Sequence, residues 1–82
     1  MNSEAKFTIA PNPNQGELSI DLDQVYDSIN ISIYNSLGQR VQQKNFDKTS
    51  YIHLKLNIPT GVYFMQITTD QGNKKTLRMI RN

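Results

Sequence analysis

Few side chains in this 82-residue sequence could perform catalysis. His53 is the only histidine, and there is no cysteine. A catalytic triad needs an activated nucleophile and an orienting acid around its histidine, and the spacing around His53 suggests neither. Because Ile52 and Leu54 alternate with His53, we expect its imidazole on the outward face of a strand. The sequence therefore predicts a surface histidine and no enzyme.

A small acidic cluster is the best candidate for metal binding. Asp21, Asp23, Asp27 and Asn30 could offer oxygen ligands to calcium. Their spacing matches no EF-hand loop, and acidic residues are common in loops between strands. The absence of cysteine excludes disulfides and cysteine metal sites, and the isolated glycines form no phosphate-binding loop. We predict no metal and no cofactor.

Three aromatic residues could form a binding platform. Tyr34, Phe46 and Tyr51 would suit a sugar or a peptide if they lay together on the surface. Scattered aromatic side chains on a surface are more often without such a role. An aromatic binding platform and a scattered arrangement without a binding role both remain open at this point.

The charge distribution favours neither nucleic acid nor membrane. The formal net charge is +2, which is too small to indicate nucleic-acid binding. No window approaches the roughly 18 apolar residues of a transmembrane helix, and the N-terminus has no apolar core typical of a signal peptide. Basic residues gather near the end of the chain, and a solvated strand face is the ordinary explanation of such a group.

The elements that position these residues are predicted to be strands. Polar and apolar residues alternate in short segments about ten residues apart, with turn signals between them. A regular strand would place Val41 and Phe46 on opposite faces, because their positions differ by an odd number. This indicates a bulge or an exposed edge strand. Residues 23–28 and 47–50 are predicted connections. This pattern favours an all-β fold, an immunoglobulin-like antiparallel sandwich of Greek-key type with about seven strands and no disulfide. The predicted strands are 6–10, 17–22, 29–34, 39–46, 51–56, 62–68 and 74–81.

A sharp turn separates the last two long apolar segments. Pro59 suits the first corner position of a turn, and Gly61 can adopt a positive φ. Tyr63 follows two residues later, where the tyrosine corner of sandwich domains places its ring. We expect the Tyr63 hydroxyl to bond to the backbone upstream.

Three blocks of sequence, in order, resemble one family. They are residues 9–20, with a Pro-Asn-Pro loop, residues 31–41, with Leu37-Gly38, and residues 56–81, with the turn at Pro59 and a basic end. Together they are similar to the type A C-terminal sorting domain of the type IX secretion system, also called the Por secretion system. The matching motif positions are Pro11, Asn12, Pro13, Gly38, Pro59, Gly61, Tyr63, Phe64, Lys74, Lys75, Arg78 and Arg81.

This resemblance implies a role in protein export. Such domains end secreted proteins of Gram-negative bacteria, and the outer-membrane translocon recognises them after the parent has entered the periplasm. A sortase-like peptidase at the cell surface usually removes the domain, and the attached cargo is anchored there or released. The resemblance implies a domain over 7–82, with 1–6 as a linker or remnant of the cleavage region.

A second function class remains open on the residues alone. The chain could be a small carbohydrate- or protein-binding module of an extracellular enzyme, with Tyr34 and Tyr51 as contact residues. A polar strand at a sheet edge could also support a weak homodimer.

Overall fold

A computed structural model describes residues 6–10 and 16–82 of the chain. This part contains five β-strands, and every paired set of strands is antiparallel. The all-β antiparallel class predicted from the sequence is confirmed. The strands are β1 (Thr8–Ala10), β2 (Glu17–Asn35), β3 (Arg40–Lys55), β4 (Gly61–Thr69) and β5 (Lys74–Arg81).

The prediction of about seven strands is wrong because two predicted connections lie inside long strands. Residues 23–28 belong to β2, and residues 47–50 belong to β3. The pairing between β2 and β3 shifts register between Asp21 and Tyr26, and Lys48, next to the Tyr26 partner Thr49, has a φ of 43°. Because pairing resumes on both sides, the extra residues form an irregularity and the strands continue past it.

The long β2–β3 hairpin has a different neighbour at each end. The first part of β2 pairs with β1 through Ile20, and the second part of β2 pairs with β4 through Ile31. β5 then pairs with β4, so that one hydrogen-bonded sheet has the order β1-β2-β4-β5 with β3 also on β2. Two separate sheets of an immunoglobulin-like sandwich do not emerge from this pairing.

A single apolar core joins the two parts of the hairpin. Alternate residues of β2 are buried in both parts, as the sequence pattern predicts. They pack in one cluster with the inward residues of β3, β4 and β5. The sheet therefore encloses one core, whose largest fully buried side chains are Leu18, Ile20, Tyr26, Ile29, Ile31, Ile33, Ile52, Leu54, Met65, Ile67 and Met79.

The predicted irregularity at Val41 is confirmed. Ile33 pairs with Gln42, whereas Tyr34 pairs with Arg40, so Val41 is the extra residue of a bulge. The shift explains why Phe46 packs partly against the core while Val41 is exposed.

Tyr26 is the core residue that the sequence pattern misses. Its ring is fully buried and meets Phe7 edge to face, with centroids 6.1 Å apart. Its hydroxyl donates to Asp23 Oδ1 over 2.6 Å and accepts from Asn73 Nδ2 over 3.1 Å. These bonds connect the irregular part of β2 with the turn between β4 and β5.

We expect the stability of the fold to fall as pH rises above about 10, partly because of Tyr26. Burial, and then the hydrogen bond to Asp23, raise the pKa of Tyr26 above its ordinary value of 10.0. The unfolded chain releases this proton at lower pH than the folded chain, so the contribution is full below about pH 10 and declines above it. Between about pH 8 and about pH 11, the urea midpoint of Tyr26→Phe should fall less steeply than that of the unchanged domain. Equal slopes would contradict the prediction.

Candidate recognition surface

The corner at the start of β4 forms as predicted. The Tyr63 hydroxyl donates to the backbone oxygen of Pro59 over 2.7 Å, and the Tyr63 ring is buried. Tyr63 also pairs with Asn35 of β2 and with Met79 of β5. The ring thus connects the turn with the centre of the sheet, and the role that the structure shows for Tyr63 is structural.

We expect Tyr63→Phe to lower the free energy of unfolding by about 1 kcal/mol, the net contribution of one hydrogen bond. The substitution keeps the ring and removes only the group that bonds to Pro59. Urea denaturation monitored by circular dichroism measures the change. An unchanged midpoint would argue against a stabilising corner bond.

The positive φ anticipated for Gly61 is wrong, and other glycines have one. Gly61 begins β4 in an extended pairing with Arg81, and positive φ values occur at Gly16, Gly38 and Gly72. Gly38, with a φ of 83°, closes the β2–β3 turn and donates its N–H to the Asn35 oxygen over 3.0 Å. Asn35 Oδ1 also accepts from the backbone N–H groups of Leu37 and Gln39.

Gly38→Ala should destabilise the domain by about 1 kcal/mol because a Cβ disfavours positive φ. Gly61→Ala should change stability by less than about 0.5 kcal/mol. A Cβ on Gly61 would lie 3.5 Å from the Tyr63 ring, which is ordinary contact. Thermal or urea unfolding of both variants checks the contrast, and a larger loss for Gly61→Ala would contradict it.

The four basic motif residues of β5 do not form one cluster. Lys74 and Arg78 have the parity of the outward face, and both are exposed. Lys75 and Arg81 lie on the same side of the strand as buried Met79. Lys75 is nevertheless exposed, whereas Arg81 is only partly so. The solvated strand face that is the ordinary explanation of this basic group is therefore formed on the outward side by Lys74 and Arg78.

Arg81 contacts the start of β2 instead of extending into solvent. Its guanidinium lies 3.3–3.5 Å from the place that a Cβ on Gly16 would occupy. It borders an open cleft of about 280 Å³, where its neighbours include Glu17 and Lys55. A side chain at Gly16 would crowd Arg81, so this contact favours glycine there in addition to its φ of 106°.

A row of side chains crosses the outward face of four strands. Arg40 pairs with Tyr34, Tyr34 with Phe64, and Phe64 with Arg78. Directly opposed residues of antiparallel strands have their side chains on the same face. The row thus places two aromatic rings between two arginines. The sequence contains these residues in four separate segments, and only the strand register identifies them as neighbours.

The aromatic platform, left open as an alternative by the sequence, does not form. Tyr34 lies at the β2–β3 turn end, Phe46 packs partly against the core, and Tyr51 pairs with Asp21 in the other part of the hairpin. Tyr51 is 52% exposed, and its hydroxyl donates to Ser19 Oγ over 2.9 Å. The carbohydrate-binding alternative therefore lacks the surface on which it depended.

The remaining chemical candidates have ordinary surroundings. His53 is exposed as predicted, and its Nε2 lies 3.4 Å from Glu17 Oε1. Asp23 of the acidic cluster accepts the bond from Tyr26. Within residues 6–10 and 16–82, no three His, Cys, Asp or Glu side chains are grouped so that they could hold a metal ion. The Pro11, Asn12 and Pro13 motif lies outside the described residues.

Comparison with known proteins identifies the family. Within the described part of the chain, no helix is long and apolar enough to cross a membrane. No curated protein shows significant similarity to the sequence. The family of secretion system C-terminal sorting domains matches over residues 8–82, which include all five strands. The chain therefore belongs to the C-terminal sorting domains of the type IX secretion system.

Proposed function

We propose that this domain is the export signal of a secreted cargo protein and acts in its folded state at the outer-membrane translocon. The family match over residues 8–82 carries this proposal. A sorting-domain family is not an enzyme family, and the domain has a recognition role in which it is passed from the periplasm to the cell surface.

The fold suits a signal that must form on many different cargos. Its core draws on all five strands and needs no disulfide, because the sequence has no cysteine. Phe7 is buried, and β1 begins at Thr8. We therefore place the domain at 7–82, with 1–6 as the linker in which, or before which, a sortase-like peptidase cleaves. Cleavage there would leave every described strand intact and would free the cargo for anchoring or release.

We further propose that β5 contributes the surface that the translocon recognises. β5 lies at the end of the sheet order, and its outward residues include Lys74 and Arg78. A strand in this position can contribute both side chains and a strand edge to a partner. The Pro59 and Tyr63 corner supports this surface by fixing the start of β4, which pairs with β5 along its length.

A reporter fusion tests the proposal. Residues 1–82 are placed behind a reporter with a signal peptide and expressed in a type IX-competent strain. We expect the reporter in the medium or on the cell surface. In a strain without the translocon, it should stay in the periplasm. Periplasmic retention in the competent strain would contradict the proposed function.

Removal of β5 tests the part assigned to that strand. Deleting residues 74–82 should abolish export of the fusion, and normal export would contradict a role for β5. Because the deletion also removes buried Met79, it should be accompanied by Lys74→Glu with Arg78→Glu. That variant keeps the core, and we expect it to reduce export while its unfolding midpoint stays near that of the unchanged domain.

A further inference from the structure

β3 is an edge strand over its whole length, because among the described strands it pairs only with β2. An unpaired edge presents a row of backbone N–H and C=O groups that can pair with another chain. In the first part of β3, the bulge at Val41 interrupts this row. Residues 51–55 instead pair with β2 in an unbroken register, so their outer edge is regular. We call residues 51–57 the edge segment.

Alternate residues of the edge segment direct their backbone groups away from β2. Leu56 donates its N–H to the Gly16 oxygen over 2.7 Å, so the backbone of Leu56 faces β2. In an antiparallel ladder, pairs that exchange hydrogen bonds alternate with pairs that do not. The residues whose backbone groups therefore point to the outer edge are Tyr51, His53, Lys55 and Asn57.

Two side chains of the same chain bond to most of these outward groups. The Thr49 hydroxyl accepts from the Tyr51 N–H over 3.1 Å and donates to the Tyr51 oxygen over 2.8 Å. The Gln42 side-chain amide donates to the Lys55 oxygen over 3.1 Å and accepts from the Asn57 N–H over 3.2 Å. Both side chains thus take the place that the backbone of a neighbouring strand would occupy.

Gln42 reaches the edge segment because of the bulge beside it. Arg40 pairs with Tyr34 on the outward face, whereas Gln42 pairs with buried Ile33. Directly opposed residues have their side chains on the same face, so Gln42 points inward. A regular strand would place Arg40 and Gln42 on one face, and the extra residue Val41 separates them. The bulge therefore directs a polar side chain toward the backbone of residues 55–57.

We propose that Gln42 and Thr49 close the outer edge of β3 and keep the domain from pairing with a second copy of itself. A two-fold antiparallel pair centred on His53 would bond Tyr51 of each copy to Lys55 of the other. Thr49 occupies both backbone groups of Tyr51, and Gln42 occupies the Lys55 oxygen. Pairing through His53 alone would add too few hydrogen bonds to offset the cost of association. This inference goes beyond the proposed function and does not depend on it.

Sedimentation velocity of the 82-residue chain tests the proposal. Gln42→Ala with Thr49→Ala removes both closing side chains. We expect the sedimenting mass of this variant to rise with concentration from that of one chain toward that of two. The unchanged chain should keep the mass of one chain. A double variant that stays at the mass of one chain at every concentration would overturn the proposal, and so would equal self-association of the unchanged chain.

A matched control separates this edge from a general loss of polar side chains. Gln43→Ala with Thr76→Ala removes the same two residue types from exposed positions, and we expect it to keep the mass of one chain. Equal association of this control would refute the assignment to the edge segment. When the Gln42 and Thr49 double variant pairs, the His53 N–H should become protected from hydrogen exchange, and pairing that leaves it unprotected would also refute the assignment.

Amide hydrogen exchange followed by NMR tests each closing side chain in a single variant, which keeps the test available if the double variant does not fold. Thr49→Val should raise the exchange rate of the Tyr51 N–H about tenfold, the effect of one net hydrogen bond. Gln42→Ala should do the same for the Asn57 N–H. The Leu56 N–H should stay protected in both variants. Unchanged exchange at Tyr51 and Asn57, or equal loss of protection at Leu56, would overturn the proposal.

Discussion

Tyr26→Ala should lower the free energy of unfolding by about 4 kcal/mol, the middle of the range for truncating a large buried aromatic side chain. The ring is fully buried against Phe7, and its hydroxyl joins Asp23 to Asn73. The substitution would leave a cavity and would remove both hydrogen bonds at once. Since a domain of this length has a total stability of roughly 4–12 kcal/mol, much of the population could unfold.

Urea denaturation measures this loss, with Tyr51→Ala as the matched control. Tyr51 is 52% exposed, and its removal should cost less than about 1 kcal/mol. If Tyr26→Ala is too unstable to purify, Tyr26→Phe retains the packing and should still lose about 2 kcal/mol through the bond to a charged group. A loss below about 1 kcal/mol for both Tyr26 variants would show that the irregular part of β2 does not depend on this residue.

Met79→Ala should cost about 3 kcal/mol, a typical value for truncating a fully buried methionine. Met79 is the buried residue of β5 and pairs with Tyr63. Its loss should loosen the strand that we assign to recognition, so export of the fusion should fall together with stability. The measurement combines urea unfolding with the export assay.

The exposed neighbour Thr76 provides the control for Met79. Thr76 lies on the outward side of the same strand, and Thr76→Ala should cost less than about 1 kcal/mol. Met79→Ala with an unchanged midpoint would contradict the packing of β5 on the core. Arg78→Glu changes the surface of β5 without reaching the core. Comparing its export with that of Met79→Ala therefore separates loss of export through unfolding from loss through surface contacts.

Local patterns predicted most of the burial in this fold. Alternation in Leu18, Ile20 and Leu22, and again in Ile29, Ile31 and Ile33, correctly indicates the inward face. The corner at Tyr63 and the turn at Gly38 were also predictable because Pro, Gly and Asn have specific backbone and capping preferences. The sorting-domain family could be inferred from the order of its short motifs.

Strand continuity was not predictable in the same way. Residues 23–28 and 47–50 are polar enough to suggest loops, yet pairing between β2 and β3 continues on both sides of an irregularity. Tyr26 in this polar segment is buried because distant residues, Phe7 and Asn73, surround its ring and hydroxyl. A pattern confined to one segment contains no information about such partners.

The sequence by itself determined the class of the fold, the faces of its strands, the corner at Tyr63 and the family. Each depends on the chemistry of residues close together in the chain. Only the tertiary structure decided that five strands form and that Arg40, Tyr34, Phe64 and Arg78 stand in one row. Register between strands depends on hydrogen bonds and packing between distant segments, and a shift of one residue would turn each side chain to the opposite face.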